Sequence, residues 1–188
     1  MEAAEYGLMD AAEDRMWWYR ALHDRLLDAL DGVAGAVLDA GCGTGGFDAA
    51  VLADVLCNEA VDPGAALAEV RRVLRPGGRL VVNMPAYAWL MSAHDARVRN
   101  ARRMTRGATA AMLARAGFVR VRARYWNGVL LPLMVAQRKI LSRGPAASDV
   151  ALFPPWVDAM LRAATRFERA LPFPPPAGGS VLAIAETP

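Results

Sequence analysis

At 188 residues, 55% hydrophobic and 22% charged, the chain is long enough to bury one core and too apolar to be disordered throughout. Its two cysteines, Cys42 and Cys57, exclude a disulfide framework and make a reducing, cytoplasmic setting the expectation, while no apolar run reaches the roughly 18 residues of a membrane span and the acidic start is unlike a signal peptide. Formal net charge is only +3, but thirteen acidic residues fall in 1–62, whereas 97–143 hold twelve basic residues and no acidic one. Such a block is either a solvated face or a surface for an anionic substrate, a phosphate or a lipid. With no interleaved aromatic series and no nucleic-acid motif, specific nucleic-acid binding is not expected.

A first helix is predicted over Asp10 to Leu30, with Leu22, Leu26, Leu27 and Leu30 at helical spacing and Gly32 as its C-terminal cap. Near its start, Trp17, Trp18 and Tyr19 point in three directions, so one core cannot absorb them all; the remainder are candidates to line a groove. Ala36 to Ala40 is a short apolar run of the kind found in buried parallel strands, and it leads directly into Gly41-Cys42-Gly43-Thr44-Gly45-Gly46. Residues 46–56 fit either a strand or an Ala-rich helix, with the strand favoured. Ala65 to Leu74 reads as a helix, 75–78 as a tight turn and 79–85 as a strand. Thr105 caps a helix running to about Ala116, and Gly117 stops it. From Phe118 to Tyr125, Val119, Val121 and Ala123 alternate with Arg120, Arg122 and Arg124, which predicts a strand near a sheet edge. The Val129–Ala136 stretch suits a substrate cover or a peripheral membrane contact. An amphipathic helix over 156–171, a proline-rich link at 172–176 and a strand over 180–186 complete an alternating pattern that predicts an α/β sandwich.

Glycines directly after a strand let backbone approach a ligand beyond the strand's carboxyl end. Gly41, Gly43 and Gly46 satisfy G-x-G-x-x-G, with Asp62 about twenty positions on, so a nicotinamide or flavin site is one reading. The wider string is more specific: Val37-Leu38-Asp39-Ala40-Gly41-Cys42-Gly43-Thr44-Gly45 resembles motif I of the class I methyltransferases that use S-adenosylmethionine. The run from Phe47 to Leu56 resembles that family's fourth strand and the loop after it, and 62–82 the next helix, its L-R-P-G-G turn and the fifth strand. Met84-Pro85-Ala86-Tyr87, His94-Asp95, Arg102-Arg103 with Thr105, and Trp17-Trp18-Tyr19 resemble one bacterial subgroup, and Ala116-Gly117-Phe118 its entry to strand six. The resemblance implies a Rossmann-like sandwich with a mostly parallel sheet and helices on both faces. In one domain over 1–188, an N-terminal helical cap would cover 1–32, the sheet core 33–126 and 178–188, and a helical insertion 127–177.

That family places two further strand–helix units between motif I and strand four. Here only Gly46 separates Gly45 from Phe47, so on the order of fifty residues are absent, at roughly thirty residues per unit. The acidic residue that grips the cofactor ribose would lie in that gap. Strands one and four are parallel neighbours in the family, yet a parallel crossover takes a dozen or more residues. The chain is therefore either a shortened methyltransferase or a degenerate, inactive relative that binds a partner or an anionic surface through its arginines.

By this resemblance, S-adenosyl-L-methionine is the cofactor, held by Asp39, Ala40, Gly41, Cys42, Gly43, Thr44 and Gly45 and by Asp54, Val55 and Leu56. Methyl transfer from a sulfonium needs mostly orientation, and an oxygen nucleophile also needs a base. His94 with Asp95 is the candidate catalytic pair, since histidine titrates near neutrality and a carboxylate orients it. Trp17, Trp18, Tyr19, Arg102 and Arg103 are the candidate substrate residues for a small-molecule or lipid-linked acceptor. His23 reads as structural, Cys42 as a loop residue rather than a nucleophile, and no metal site is expected.

Overall fold

The computed structural model describes residues 15–39, 46–138 and 153–188. Helix α1 (Trp17–Leu30) buries Ala21, Leu22, Arg25 and Ala29 along one face and gives way to Gly32 at φ +74°, a left-handed turn that suits glycine. The N-terminal part of the longer predicted helix lies outside the described residues. Strand β1 (Val37–Asp39) follows, then β2 (Phe47–Ala53). Helix α2 (Pro63–Val73) starts with proline at its first position, and the Asp62 carboxylate accepts from the Ala65 amide at 2.6 Å. Its buried Leu67, Val70 and Val73 recur at helical spacing.

Strand β3 (Leu74–Pro85) begins earlier than predicted. The predicted turn at 75–78 is drawn into the strand because Leu74 pairs with Phe47 and the Gly77–Gly78 backbone is tied to Thr187. An irregularity between Phe47 and Ala49 and a left-handed Gly77 (φ +73°) take up the bend. After a single 3-10 turn (Ala88–Leu90) come the short helix α3 (Ala93–Arg97) and α4 (Arg106–Arg115), the latter capped by Thr105. Strand β4 (Val119–Trp126), helix α5 (Leu131–Ala136), helix α6 (Pro155–Ala170) and strand β5 (Ser180–Glu186) complete the described elements.

The sheet order is β1-β2-β3-β5-β4. The β1–β2 and β2–β3 pairs are parallel, and β5 runs antiparallel to both of its neighbours. Four strands therefore share one direction, as the mostly parallel sheet predicts, and β4 sits at the edge as its alternation implies. The strand reading of 46–56 holds over the helical one. β1 and β2 are parallel neighbours across a link of only residues 40–46. Fully extended, seven residues reach about 25 Å. A three-residue β1 is only about 10 Å long, so a link far below the usual crossover length still returns the chain. Asp48 fixes the pairing: its carboxylate accepts from the Ala36 amide at 2.8 Å, and its own amide donates to the Ala36 carbonyl at 2.9 Å.

Alternation along β3 builds a core on each face. Leu80, Val82 and Met84 pack with Leu67 and Val70 of α2, Leu113 of α4 and Val181 of β5. Val81 packs on the other face with Leu182, Trp126 and the Ala21, Leu22 and Ala29 side of α1. Helices thus cover both faces and leave the carboxyl ends of β2 and β3 as the rim of a cavity. No helix among the described residues is long and apolar enough to cross a membrane.

Candidate functional site

The cavity, of about 150 Å³, opens at Asp54, just past the end of β2, and at Pro85, where β3 ends. That is the side on which open parallel sheets bind ligands. Helix α1 contributes Trp17, Trp18 and Tyr19, α3 contributes His94 and Asp95, and Arg103 stands behind Asp95. Sequence positions more than eighty apart are therefore brought to one place. All three adjacent aromatics border the cavity; Trp17 is buried, Trp18 and Tyr19 are half-buried, and Trp18 stacks on Trp126 with ring centroids 6.0 Å apart.

Asp54 adopts a left-handed backbone (φ +57°), uncommon for a residue other than glycine, which turns the chain at the end of β2. Its carboxylate accepts from Asn83 Nδ2 at 3.0 Å. Trp126 Nε1–H donates to Asn83 Oδ1 at 2.9 Å, which fixes the orientation of that amide. Burial, with a smaller contribution from the nearby Asp95 carboxylate, raises the Asp54 pKa to about 7, against the opposing pull of Asn83 and Arg103. Asp54 is therefore a group that changes charge near neutral pH on the cavity wall.

Asp95 is wholly buried, and its carboxylate does several jobs at once. Arg103 binds it in a fork, Nε to Oδ1 at 3.0 Å and Nη2 to Oδ2 at 2.9 Å. The Ser92 amide donates to Oδ2 at 2.8 Å, closing a capping box at the start of α3. Burial works against its charge, but the Arg103 guanidinium and its hydrogen bonds hold the carboxyl below its ordinary value. Arg103 also donates to the Ala86 carbonyl at 3.2 Å, so the pair ties α3 to the end of β3 and sets where His94 stands.

The other predicted site residues fall elsewhere. Arg102 donates to the Leu56 and Asn58 carbonyls at 3.3 and 2.6 Å and so holds the turn after β2. Leu56 is fully buried in the main core, and Val55 packs against it. Asp39 is the last residue of β1, at the same end of the sheet as Asp54. Ala40, Gly41, Cys42, Gly43, Thr44 and Gly45 lie outside the described residues. The Cys57 thiol is buried, donates to the Asp54 carbonyl and has its pKa pushed up by burial, so it is no nucleophile. The described residues hold no cluster suited to a metal ion.

Sequence reasoning missed the support on the far side of the cavity. Glu168 of α6 is buried, and its carboxylate accepts from three consecutive amides: Asn127 at 2.7 Å, Gly128 at 2.6 Å and Val129 at 2.9 Å. It also pairs with Arg25 at 3.1 Å, and the Arg25 guanidinium lies 4.6 Å from the centre of the Trp126 ring. Asn127, at φ +60°, is pinned so that its side chain borders the cavity. The one available signal was an asparagine, tolerant of left-handed backbone, closing an alternating strand.

The methyltransferase domain family model matches residues 21–82, which span α1 to the middle of β3. No curated protein matches the chain. Among solved structures, a methyltransferase from Thermotoga maritima that depends on S-adenosylmethionine is 16% identical, with 77% of this chain and 57% of that one covered and a TM-score of 0.43. One from Archaeoglobus fulgidus is 13% identical, with 76% and 60% covered and a TM-score of 0.39. Phosphoethanolamine N-methyltransferase 2 of Haemonchus contortus, in complex with S-adenosyl-L-methionine, is 11% identical, with 76% and 33% covered and a TM-score of 0.44. The chain thus spans less than two thirds of the length of each. The match to the methyltransferase domain family thus runs through α1, β1, β2, α2 and into β3.

Proposed function

We propose that the chain transfers a methyl group from S-adenosylmethionine to a small-molecule or lipid-linked acceptor held in this cavity. The observation that carries the reading is the meeting of Asp54, the α1 aromatics and the His94–Asp95–Arg103 group at the carboxyl ends of β2 and β3. The described residues fit one end of the cofactor. Asp54 offers a carboxylate to its cationic sulfonium and ammonium groups, and Asp39 ends β1 on the same side of the sheet. Phe47 follows Gly46 directly where the family carries the segment with its ribose-binding acid, so that role is assigned to no acid among the described residues. When bound, the cofactor supplies an activated methyl group, and the chain's part is to orient, exclude water and manage a proton.

Each residue then has a task. The Trp17, Trp18 and Tyr19 side chains form an apolar wall for the acceptor. His94 takes the proton of an O–H or N–H nucleophile, on a helix whose position the Asp95–Arg103 pair fixes. The Val129–Ala136 stretch forms α5 and its flank, with Val129 and Leu133 exposed, which suits an acceptor carrying an apolar tail. Isothermal titration with S-adenosylhomocysteine tests the reading. Micromolar binding is expected, and absence of binding at millimolar ligand would favour the inactive relative instead. His94→Gln should lower kcat by about a hundredfold or more while leaving that binding intact.

A further inference from the structure

Helix α6 is tied to the fold along one face, where Leu161, Thr165 and Glu168 are buried. Every exposed residue on the rest of it is apolar or an arginine. Trp156, Met160 and Phe167 are 70%, 56% and 62% exposed, and Ala163 is exposed between them. At about 100° of helical rotation per residue, these four positions fall within about 60° of one another and form a single stripe on the outward side. Just past the helix, Leu171 and Phe173 are exposed as well. The outward face of a surface helix is ordinarily polar, and a contiguous apolar stripe there marks an interaction surface.

The charges around the stripe are of one sign. Both acids of α6 are turned inward and occupied. Asp158 accepts from the Trp17 amide at 2.6 Å and pairs with Arg20 at 3.9 Å, and Glu168 is buried against Arg25. Arg15, Arg20, Arg162 and Arg166 line a groove between the start of α1 and α6, where Asp158 is the one acid among the described lining residues. Phe153 borders both this groove and the cavity, so the two adjoin. Aromatic and thioether side chains edged by arginines, with no outward acid, are the composition of a helix that lies in a membrane interface. There the rings enter the boundary between headgroups and acyl chains, and the guanidinium groups meet lipid phosphates. A second copy docked through the same face about a two-fold axis would instead set arginine against arginine.

We propose that the outward face of α6 docks on an anionic lipid surface, with Trp156, Met160 and Phe167 inserted and Arg166 and the groove arginines on the lipid phosphates. Such docking is independent of methyl transfer and of cofactor binding.

The test is co-sedimentation of the full chain with vesicles of phosphatidylcholine alone and of phosphatidylcholine mixed with phosphatidylglycerol. Binding is expected to the mixed vesicles only, and it should weaken at high salt. Trp156→Ser and Phe167→Ser should each weaken it about tenfold or more. Arg166→Ala should weaken it about fivefold. These side chains are exposed, so thermal melts of the variants should match the wild type. Leu133→Ser, at an exposed position of α5, is the control and should leave vesicle binding unchanged. No binding to the mixed vesicles, equal binding to both kinds, or a loss on Leu133→Ser with none on Phe167→Ser would overturn the proposal. A concentration-dependent dimer in analytical ultracentrifugation that Phe167→Ser dissolves, with no vesicle binding, would overturn it too and assign the stripe to a second copy.

Discussion

On one flank of the sheet, β5 meets β3 along seven residue pairs and β4 along six more, and Val181, Ala183 and Ala185 of β5 are wholly inaccessible. On the other flank, β1 meets β2 along three pairs, and Val37 is 44% exposed. The well-packed flank carries Asn127 and Ser180, and with them one side of the cavity. The thin flank leads into residues 40–46, where the family resemblance places the cofactor loop. The difference teaches that the core does not depend on the short β1 edge, because it lies between α2, α4 and α1 on either side of β3.

The sharpest way to break this comparison is at the buried pair beneath the cavity. Asp95→Ala should cost about 3–5 kcal/mol, because it strands the Arg103 guanidinium and opens the α3 capping box together. Urea denaturation of the variant measures it. Next comes the contrast between the two flanks. Leu182→Ala, in the core between β3 and α1, should cost about 2–5 kcal/mol. Val37→Ala on β1 should cost about 0.5 kcal/mol or less. Similar losses at the two positions would erase the distinction.

A smaller, pH-gated effect is expected at Asp54. Its pKa is raised in the folded state, so folding favours the protonated form. Its contribution to stability is undiminished below the ordinary carboxylate pKa of about 4 and declines as pH rises towards about 7, where it levels off. Asp54→Asn should therefore raise Tm at pH 8 and change it little at pH 4.5, read by thermal melts at both values. A modest effect without pH dependence is expected at a helix end. Thr105→Ala removes the acceptor for the Ala108 amide, 3.2 Å away, and should cost about 1 kcal/mol on either side of neutrality.

Much of the framework was legible because local rules decided it. The helix predicted over 65–74, the Thr105 cap, the alternation in 119–125 and the apolar strand at 180–186 all appear in the structure within a residue or two of where pattern and capping chemistry put them. The 75–78 turn was misread because its glycines are recruited by a distant residue, Thr187, and that pairing leaves no mark on the local pattern. The site divides in the same way. Trp17, Trp18, Tyr19, Asp54, His94, Asp95 and Arg103 were identifiable by resemblance, and they share the cavity. Arg102 was grouped with Arg103, but one step along the chain sends its guanidinium to the 56–58 carbonyls instead. Asn83 and Glu168 left no local mark because their significance lies in contacts across 29 to 143 residues of sequence.

The most direct test of the central claim is a titration of S-adenosylhomocysteine into the isotopically labelled protein, followed by backbone amide shifts. The account predicts saturable binding, with the largest shifts at Gly46, Asp54, Met84 and Ala86 and little change along β4. No binding at millimolar ligand, or shifts confined to the β4 edge, would contradict it.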